Sequence, residues 1–303
     1  MTSEYPLKDF SDASSEEIED ALEAGQVVYF PKCPIDLPST NDLEWLRTGL
    51  NAKLKAKNIS YHPESDSVPR FEADDVTRDK VENLLRAHGK RVADFWRRTV
   101  PDYIPGCTFG TTSFRPAEEK GRNLKPRSSN ELVHIDAGAY GATNGARILR
   151  FFVNVHTEHD RVWGTKGSFA ELMQKNPELW AAAKGGKRKV PIRKGPFDHL
   201  YSGTIRAASS IYPLFRVIDS SPYDRSMRRI HNHMKEDASF KQDQTNYQEI
   251  RFPPYSAWMV FTDGISHAAL TGQYAFISTA LVPLENCRSQ ERTPFGILSA
   301  ANA

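Results

Sequence analysis

The residues best suited to metal binding or catalysis are a closely spaced histidine and aspartate, His134 and Asp136, and a second histidine far along the chain, His267. Side chains two apart on an extended strand point the same way, so His134 and Asp136 can bind one metal ion together. His267 follows a predicted strand over 258–262 that ends in an Asp-Gly pair, which makes it the candidate third ligand. Two imidazoles and one carboxylate on one side of a metal leave positions open, as in non-haem Fe(II) oxygenases.

A chance match is the alternative, because nine histidines in 303 residues make an isolated His-x-Asp easy to find. The context favours the metal site, since small residues follow at 137–141 and predict a strand end that opens on a loop. His231 and His233 fit a metal site less well, because residues two apart in a helix diverge by about 200°. We expect this pair, like His156 and His159, to be solvated.

A predicted strand over 148–156 carries a second group of candidates. Alternate residues from Leu149 to Val155 are apolar and predict a core face, while Arg150 and Asn154 share the opposite face. An edge strand with one wet face is the alternative. Beside a metal site, however, the Arg150 guanidinium offers bidentate geometry for the far carboxylate of 2-oxoglutarate, and Asn154 could donate to the same ligand. Arg147 has the other parity and is the weaker candidate.

Composition limits the function classes. The formal net charge of +2 gives no reason to expect nucleic-acid binding. Three widely spaced cysteines, Cys33, Cys107 and Cys287, form no C-x-x-C pair and argue against a disulfide framework or a zinc ribbon. No apolar run approaches the roughly 18 residues of a membrane span, and residues 1–10 carry charges without an export core. We therefore expect a soluble cytoplasmic protein.

The elements that must position these residues suggest one mainly β domain. Residues 1–106 read as mainly helical, with a capping box at Ser14 and a well-patterned helix over 77–98 that buries His88 at the edge of the core. Residues 107–285 read as short strands interrupted by a helical insertion at 168–250, and residues 286–303 as a C-terminal tail. The strands favour a β-sandwich or barrel over a βαβ fold and are predicted at 108–114, 132–136, 148–156, 258–262 and 275–282.

Several segments together resemble the Kdo hydroxylases, enzymes that act on the sugar 3-deoxy-D-manno-oct-2-ulosonic acid (Kdo). The resemblance covers most of the chain and includes Ser113-Phe114-Arg115-Pro116, Val133-His134-Ile135-Asp136-Ala137, Arg161-Val162-Trp163 and Ser266-His267-Ala268-Ala269. It implies a double-stranded β-helix (jelly roll) that uses Fe(II), 2-oxoglutarate and O2. It also implies hydroxylation of C3 of Kdo in the lipopolysaccharide inner core, with His134, Asp136 and His267 as metal ligands.

The resemblance leaves the arginines of the site open in two respects. Many 2-oxoglutarate enzymes carry an arginine about ten residues after the distal histidine, but residues 274–281 contain none. Arg150 is therefore the better candidate for the cosubstrate. We infer from charge and position alone that Arg115 and Arg127 bind substrate, and a surface salt bridge is the alternative for each.

An acidic Kdo-lipid A substrate would call for a cationic surface, and residues 184–194 carry six positive charges. Such a run is typical of a solvated loop; if functional, it would bring the protein to the anionic inner membrane as a peripheral contact. Other functions stay open. The same chemistry could act on another small acidic or amino-acid substrate, the triad could hold Zn(II) in a hydrolase, or the barrel could bind without turnover.

Overall fold

The computed structural model describes residues 3–50, 58–69, 73–121, 124–138, 142–193 and 221–302. Ten strands run in chain order: β1 Ser3–Glu4, β2 Val28–Phe30, β3 Ile59–Tyr61, β4 Thr108–Arg115, β5 Arg147–Asn154, β6 Arg161–Thr165, β7 Gln248–Phe252, β8 Ala257–Phe261, β9 Ala268–Thr271 and β10 Ala275–Val282. Eight α-helices belong to these described residues: α1 Ser15–Glu23, α2 Thr40–Thr48, α3 Asp75–Thr99, α4 Phe169–Lys175, α5 Pro177–Lys184, α6 Pro222–Glu236, α7 Ala238–Gln242 and α8 Pro294–Ala300.

The strands form two sheets, one of six strands in the order β2-β8-β5-β10-β4-β3 and one of four in the order β1-β7-β6-β9. All pairings are antiparallel except the short β1–β7 pair. Neighbouring strands are distant in sequence, as in a jelly roll. The predicted double-stranded β-helix with N-terminal helices and a helical insertion is confirmed.

The period-2 pattern of β5 explains how the larger sheet packs on both faces, against the N-terminal helices on one side and the smaller sheet on the other. Leu149, Phe151 and Val153 are buried in the core that the N-terminal helices cover. Phe152, on the opposite face, belongs to a second core that includes side chains of the smaller sheet, such as Trp163. Arg150 shares the face of Phe152, as the sequence predicts. One strand therefore supports the helical layer and also presents a guanidinium to the space between the sheets.

The N-terminal helices follow their local signals. Ser14 and Glu17 form the predicted capping box of α1. The helix predicted over 77–98 is α3, capped by Asp74 and buried along an apolar stripe. The helix α2 ends at Thr48 and is followed by a turn at Gly49 and Leu50. None of the helices in the described part of the chain is long and apolar enough to cross a membrane.

The helical insertion is built around α6. Ser221 and Asp224 form a capping box, and Pro222 occupies the first turn, where its missing N–H costs nothing. Met227 and Ile230 on one face of α6 pack in a core shared with α4 and α5. Residues 194–220, including the last lysine of the basic segment, lie outside the described residues.

The prediction of a strand over 132–136 is wrong. Only His134 makes a bridge, an isolated one to His267, and residues 132–136 belong to neither sheet. The apolar residues of this segment suggested a strand that pairs with neighbours on both sides. Instead, Ile135 is buried by packing against the helical insertion. The strands β1, β3, β6, β7 and β9 were not predicted.

Candidate metal centre and anion pocket

Three distant parts of the chain bring the predicted metal ligands together. The backbones of His134 and His267 exchange two hydrogen bonds, with N···O distances of 3.0 and 2.8 Å. The backbone N–H of Asp136 donates to Thr262 at 2.9 Å, just after β8. One potential ligand atom from each of the three side chains lies within 4.8 Å of the others. Two ligands that each lie about 2.1 Å from one ion are at most about 4.2 Å apart, so side-chain shifts of a few tenths of an ångström bring all three within reach of one ion.

Both imidazoles are oriented by the same local device. Nδ1 of His134 lies 2.7 Å from the carbonyl oxygen of Leu132, and Nδ1 of His267 lies 3.2 Å from that of Ile265. A carbonyl oxygen only accepts, so each Nδ1 carries the proton and donates it. The Nε2 lone pair of each ring is then left for a metal. This backbone support is the usual second layer of interactions around a metal-binding histidine.

The protonation states also suit a metal. Burial lowers the pKa of His267 to about 4. Burial lowers the pKa of His134 as well, and the neighbouring His267 adds to the effect. For Asp136, burial works toward a higher pKa, but the Arg150 guanidinium and the two histidines outweigh it and hold the pKa well below its usual range. At neutral pH the site therefore offers two neutral imidazoles and a carboxylate, the forms that bind a divalent ion.

His231 does not behave as predicted. It is half-buried, its Nδ1 lies 2.6 Å from the carbonyl oxygen of Ile135, and its ring meets that of His134 edge-on with centroids 5.1 Å apart. Burial lowers its pKa, and the charge of Lys235 adds to this. The expectation of a solvated residue is therefore wrong for His231, because α6 packs directly on the segment that carries His134 and Asp136.

A polar pocket adjoins the three ligands. Arg150 enters it from β5 and pairs with Asp136 at 3.1 Å. The pocket is lined by Arg115, Asn130, His134, Asp136, Arg150, Phe152, Arg161, Trp163, His267 and Ala269. The sequence-predicted Arg115 and Arg150 are thus brought to the metal ligands. Arg161 joins them from the smaller sheet.

The three arginines have unused hydrogen-bonding capacity. Arg115 and Arg161 both approach the buried carboxylate of Glu119, and Arg161 also donates to the Gly272 carbonyl at 2.9 Å. The Nε of Arg115, Arg150 and Arg161 is buried in each case without a hydrogen-bond partner among the described residues. Burial lowers the pKa of Arg161 to about 10, which still leaves it charged at neutral pH. Three guanidiniums thus face the carboxylates of Glu119 and Asp136, so the pocket suits a bound anion.

Aromatic rings form the opposite wall. The Trp163 ring stacks on His267 with centroids 5.1 Å apart, and Phe152 meets Trp163 edge-on at 4.9 Å. Trp163 is 2 % and Phe152 3 % exposed. These rings fix the plane of His267 and keep water from that side of the ligands. The Nε1–H of Trp163 has no acceptor among the described residues and is a further unused donor.

The structure leaves two predicted residues outside the pocket. The side-chain amide of Asn154 donates to the carbonyls of His159 and Phe252, both at 2.9 Å. It therefore stabilises the turn that follows β5 and is not available to a ligand. Arg127 is largely exposed and forms a bidentate pair with Glu236, which matches the surface salt bridge considered as its alternative. Neither residue lines the space beside the metal ligands.

Arg161, Trp163 and His231 line or support the site but were not singled out from the residue pattern. A signal existed for the first two, because Arg161 and Trp163 are two apart and share one face of β6. For His231 no local signal exists, since its contact with Ile135 spans 96 positions.

Comparison with known families supports this picture. The family model described as 3-deoxy-D-manno-oct-2-ulosonic acid (Kdo) hydroxylase matches residues 7–303. No curated protein matches the chain.

Solved structures of the Kdo hydroxylase KdoO, described as a non-heme Fe(II) alphaketoglutarate dependent dioxygenase, are similar over the whole chain. The apo form is 27% identical, with a TM-score of 0.77 and coverage of 100% of this chain and 95% of that one. The complex with alphaketoglutarate and Fe(III) is 25% identical, with a TM-score of 0.75 and coverage of 100% and 94%. The cobalt(II) complex is 26% identical, with a TM-score of 0.76 and the same coverage.

Proposed function

Because the chain belongs to the Kdo hydroxylase family, we propose that it uses Fe(II), 2-oxoglutarate and O2 to hydroxylate C3 of a Kdo sugar in the lipopolysaccharide inner core. The observation that carries the proposal is the convergence of His134, Asp136 and His267 beside a pocket of three arginines. A metal held on one side by three protein ligands keeps positions for the cosubstrate and O2.

His134, Asp136 and His267 would hold the iron, with Nε2 of each histidine as the ligand atom. The bound iron supplies the oxygen activation that no side chain can perform. The protein contributes orientation, because backbone carbonyls fix both imidazoles. It also excludes water, because Trp163 and Phe152 close one side. A zinc hydrolase would require a general base beside the metal. Apart from the three ligands, the residues lining this pocket are three arginines, an asparagine, two aromatic residues and an alanine.

For 2-oxoglutarate, Arg150 remains our proposed partner of the distal carboxylate, with Arg161 as a second cation of the same pocket. Both lie beside the metal ligands and keep an unused Nε–H. A bidentate guanidinium–carboxylate pair depends on shape as well as charge, so Arg→Lys should not preserve it. We expect Arg150→Lys and Arg161→Lys to raise the KM for 2-oxoglutarate, each by 10-fold or more. Unchanged Co(II) affinity in the same variants separates cosubstrate binding from metal binding. A normal KM in both variants would exclude these arginines.

For the acidic sugar substrate, Arg115 is our proposed contact, because it lines the pocket and has an unpaired Nε–H. Arg127 lies outside the pocket and pairs with Glu236, so a contact of Arg127 with the substrate stays a prediction. Arg115→Gln should raise the KM for the Kdo substrate more than the KM for 2-oxoglutarate. The reverse order would assign Arg115 to the cosubstrate.

Membrane contact is proposed for the exposed basic residues Lys187, Arg188 and Lys189, which follow α5. Val190 and Ile192, which follow directly, are buried. They hold this end of the basic segment against the protein surface. Each basic residue near an anionic surface adds about 1 kcal/mol. Replacing the three with alanine should reduce sedimentation with anionic vesicles. The control replaces three other exposed cations, Lys32, Lys90 and Arg98; equal loss in both variants would indicate a general charge effect and no specific membrane contact.

The decisive test supplies anaerobically loaded Fe(II) protein with 2-oxoglutarate, O2 and a Kdo-containing lipid. We expect succinate release coupled to a product one oxygen atom heavier, with the hydroxyl at C3 of Kdo. Release of succinate only with another small acid would favour the alternative substrate class. No dependence on 2-oxoglutarate would reject the dioxygenase. Before O2 is added, Fe(II) with 2-oxoglutarate should give a weak visible charge-transfer band that His267→Ala lacks.

A further inference from the structure

We propose that His231 is a positioning residue of the metal centre, holding the peptide that joins His134 to Asp136 through a hydrogen bond from its Nδ1–H to the Ile135 carbonyl. The inference rests on the proposed function, because it concerns the same metal site. His231 is not one of the three ligands and does not line the anion pocket, so we expect it to act on the metal centre mainly through the hydrogen bond to the Ile135 backbone.

The segment 132–136 depends on this contact because no sheet holds it. On one side it has the two backbone hydrogen bonds between His134 and His267 and the bond from Asp136 to Thr262. The Ile135 carbonyl oxygen instead accepts a hydrogen bond from α6, where Nδ1 of His231 lies 2.6 Å away. A carbonyl at this depth needs a donor. His231 therefore completes the support of the peptide whose torsion angles set the relative direction of the two ligand side chains.

The helix that carries His231 is itself fixed to the same stretch of chain. Near its N-terminus, Asp224 accepts from the backbone N–H and the hydroxyl of Thr143, both at 2.8 Å. At its C-terminus, Glu236 pairs with Arg127. The helix α6 is thus joined to the chain before and after the His134–Asp136 segment. His231 lies between these two attachments and contacts the ring of His134 as well as the backbone.

The inference can be tested with two variants of similar shape. Asparagine places its side-chain N–H₂ where Nδ1 of His231 lies, whereas leucine has about the same shape and cannot donate. Loss of an outer-layer partner typically weakens metal binding by about 10- to 100-fold. We expect His231→Leu to weaken Co(II) binding by about 10-fold and to change the visible Co(II) spectrum. His231→Asn should restore most of the affinity. His233→Leu, two positions along α6, is the control and should bind Co(II) like the wild type.

The measurements are Co(II) titrations of the full chain, with thermal unfolding of each metal-free variant as a check on folding. Equal affinity in His231→Leu and wild type would overturn the inference. So would equal weakening in the leucine and asparagine variants, because ring packing would then matter and the hydrogen bond would not. If His231→Leu does not fold, the wild type still decides: an imidazole N–H resonance protected from exchange and lost in His231→Asn is required. Failure of the wild type itself to bind Co(II) would instead refute the proposed function.

Discussion

Replacing His88 with leucine should stabilise this protein, and increasingly so as the pH falls. His88 lies in α3, is completely buried and stacks on Phe276 with centroids 4.3 Å apart. Neither ring nitrogen has a hydrogen-bond partner among the described residues. Burial, with a smaller contribution from Arg91, lowers the pKa of His88 to about 3. The folded protein therefore keeps a neutral, unsatisfied imidazole that the unfolded chain can protonate freely.

The sign and size of the pH effect follow from proton linkage. Between the folded pKa of about 3 and the ordinary value of 6.5, the unfolded state binds more protons than the folded state. Wild-type stability therefore falls as the pH drops below 6.5, by about 2 kcal/mol at pH 5 relative to pH 8 from His88 alone. Leucine has a similar volume and no proton to bind. It also removes unsatisfied polar atoms, each worth about 1–3 kcal/mol.

Urea unfolding of wild type and His88→Leu at several pH values between 8 and 5 tests this account. The variant should be more stable at pH 8, and the difference should widen by about 2 kcal/mol at pH 5. Titration of the buried metal-ligand histidines is common to both proteins and cancels in the difference. His159→Leu, at an exposed position, controls for the loss of a histidine as such. A difference that stays constant with pH would refute the reasoning, as would a less stable variant at every pH.

Three further predictions concern charges and metal. Asp263→Ala should lower the free energy of unfolding by about 3–5 kcal/mol in urea titration, because it leaves the buried Arg147, 2.7 Å away, without its carboxylate; a loss below 1 kcal/mol would contradict this. Burial, and next the charge of Asp102, raise the pKa of Glu19 to about 7. The folded protein therefore binds this proton more tightly than the unfolded chain, and the resulting stabilisation is lost as the pH rises from 4.5 through 7. Glu19→Gln should therefore gain about 2 kcal/mol on wild type between pH 5 and 8; no gain would remove Glu19 as the cause. Co(II) at 100 times its Kd should add about 2.7 kcal/mol and raise Tm by several degrees, whereas His134→Ala should show no shift.

Local patterns in the sequence were sufficient for much of the scaffold. The boundaries of β10 were predicted to the residue, and the predicted capping box at Ser14 marks the start of α1. These signals act within a few residues, so they can be read without knowing the fold. The parity of β5 was likewise readable, and it placed Arg150 on the inner face.

Other features depended on partners far along the chain. The strand predicted at 132–136 is only a bridge, because its apolar residue Ile135 packs in the helical insertion. Arg161 begins β6, which was not among the predicted strands, and it lines the pocket. Asn154 has the predicted parity, but the carbonyls of a nearby turn take both of its amide hydrogens.

The sequence by itself determined the identity of the three proposed metal ligands and the position of β8 before His267, because residue type and the apolar pattern of one strand are local properties. Only the tertiary structure decided that Arg161 joins Arg115 and Arg150, and that His231 supports the peptide between His134 and Asp136. These arrangements depend on which strand and which helix pack together. Such packing is set by the burial of apolar surface from distant segments, and no local spacing encodes it.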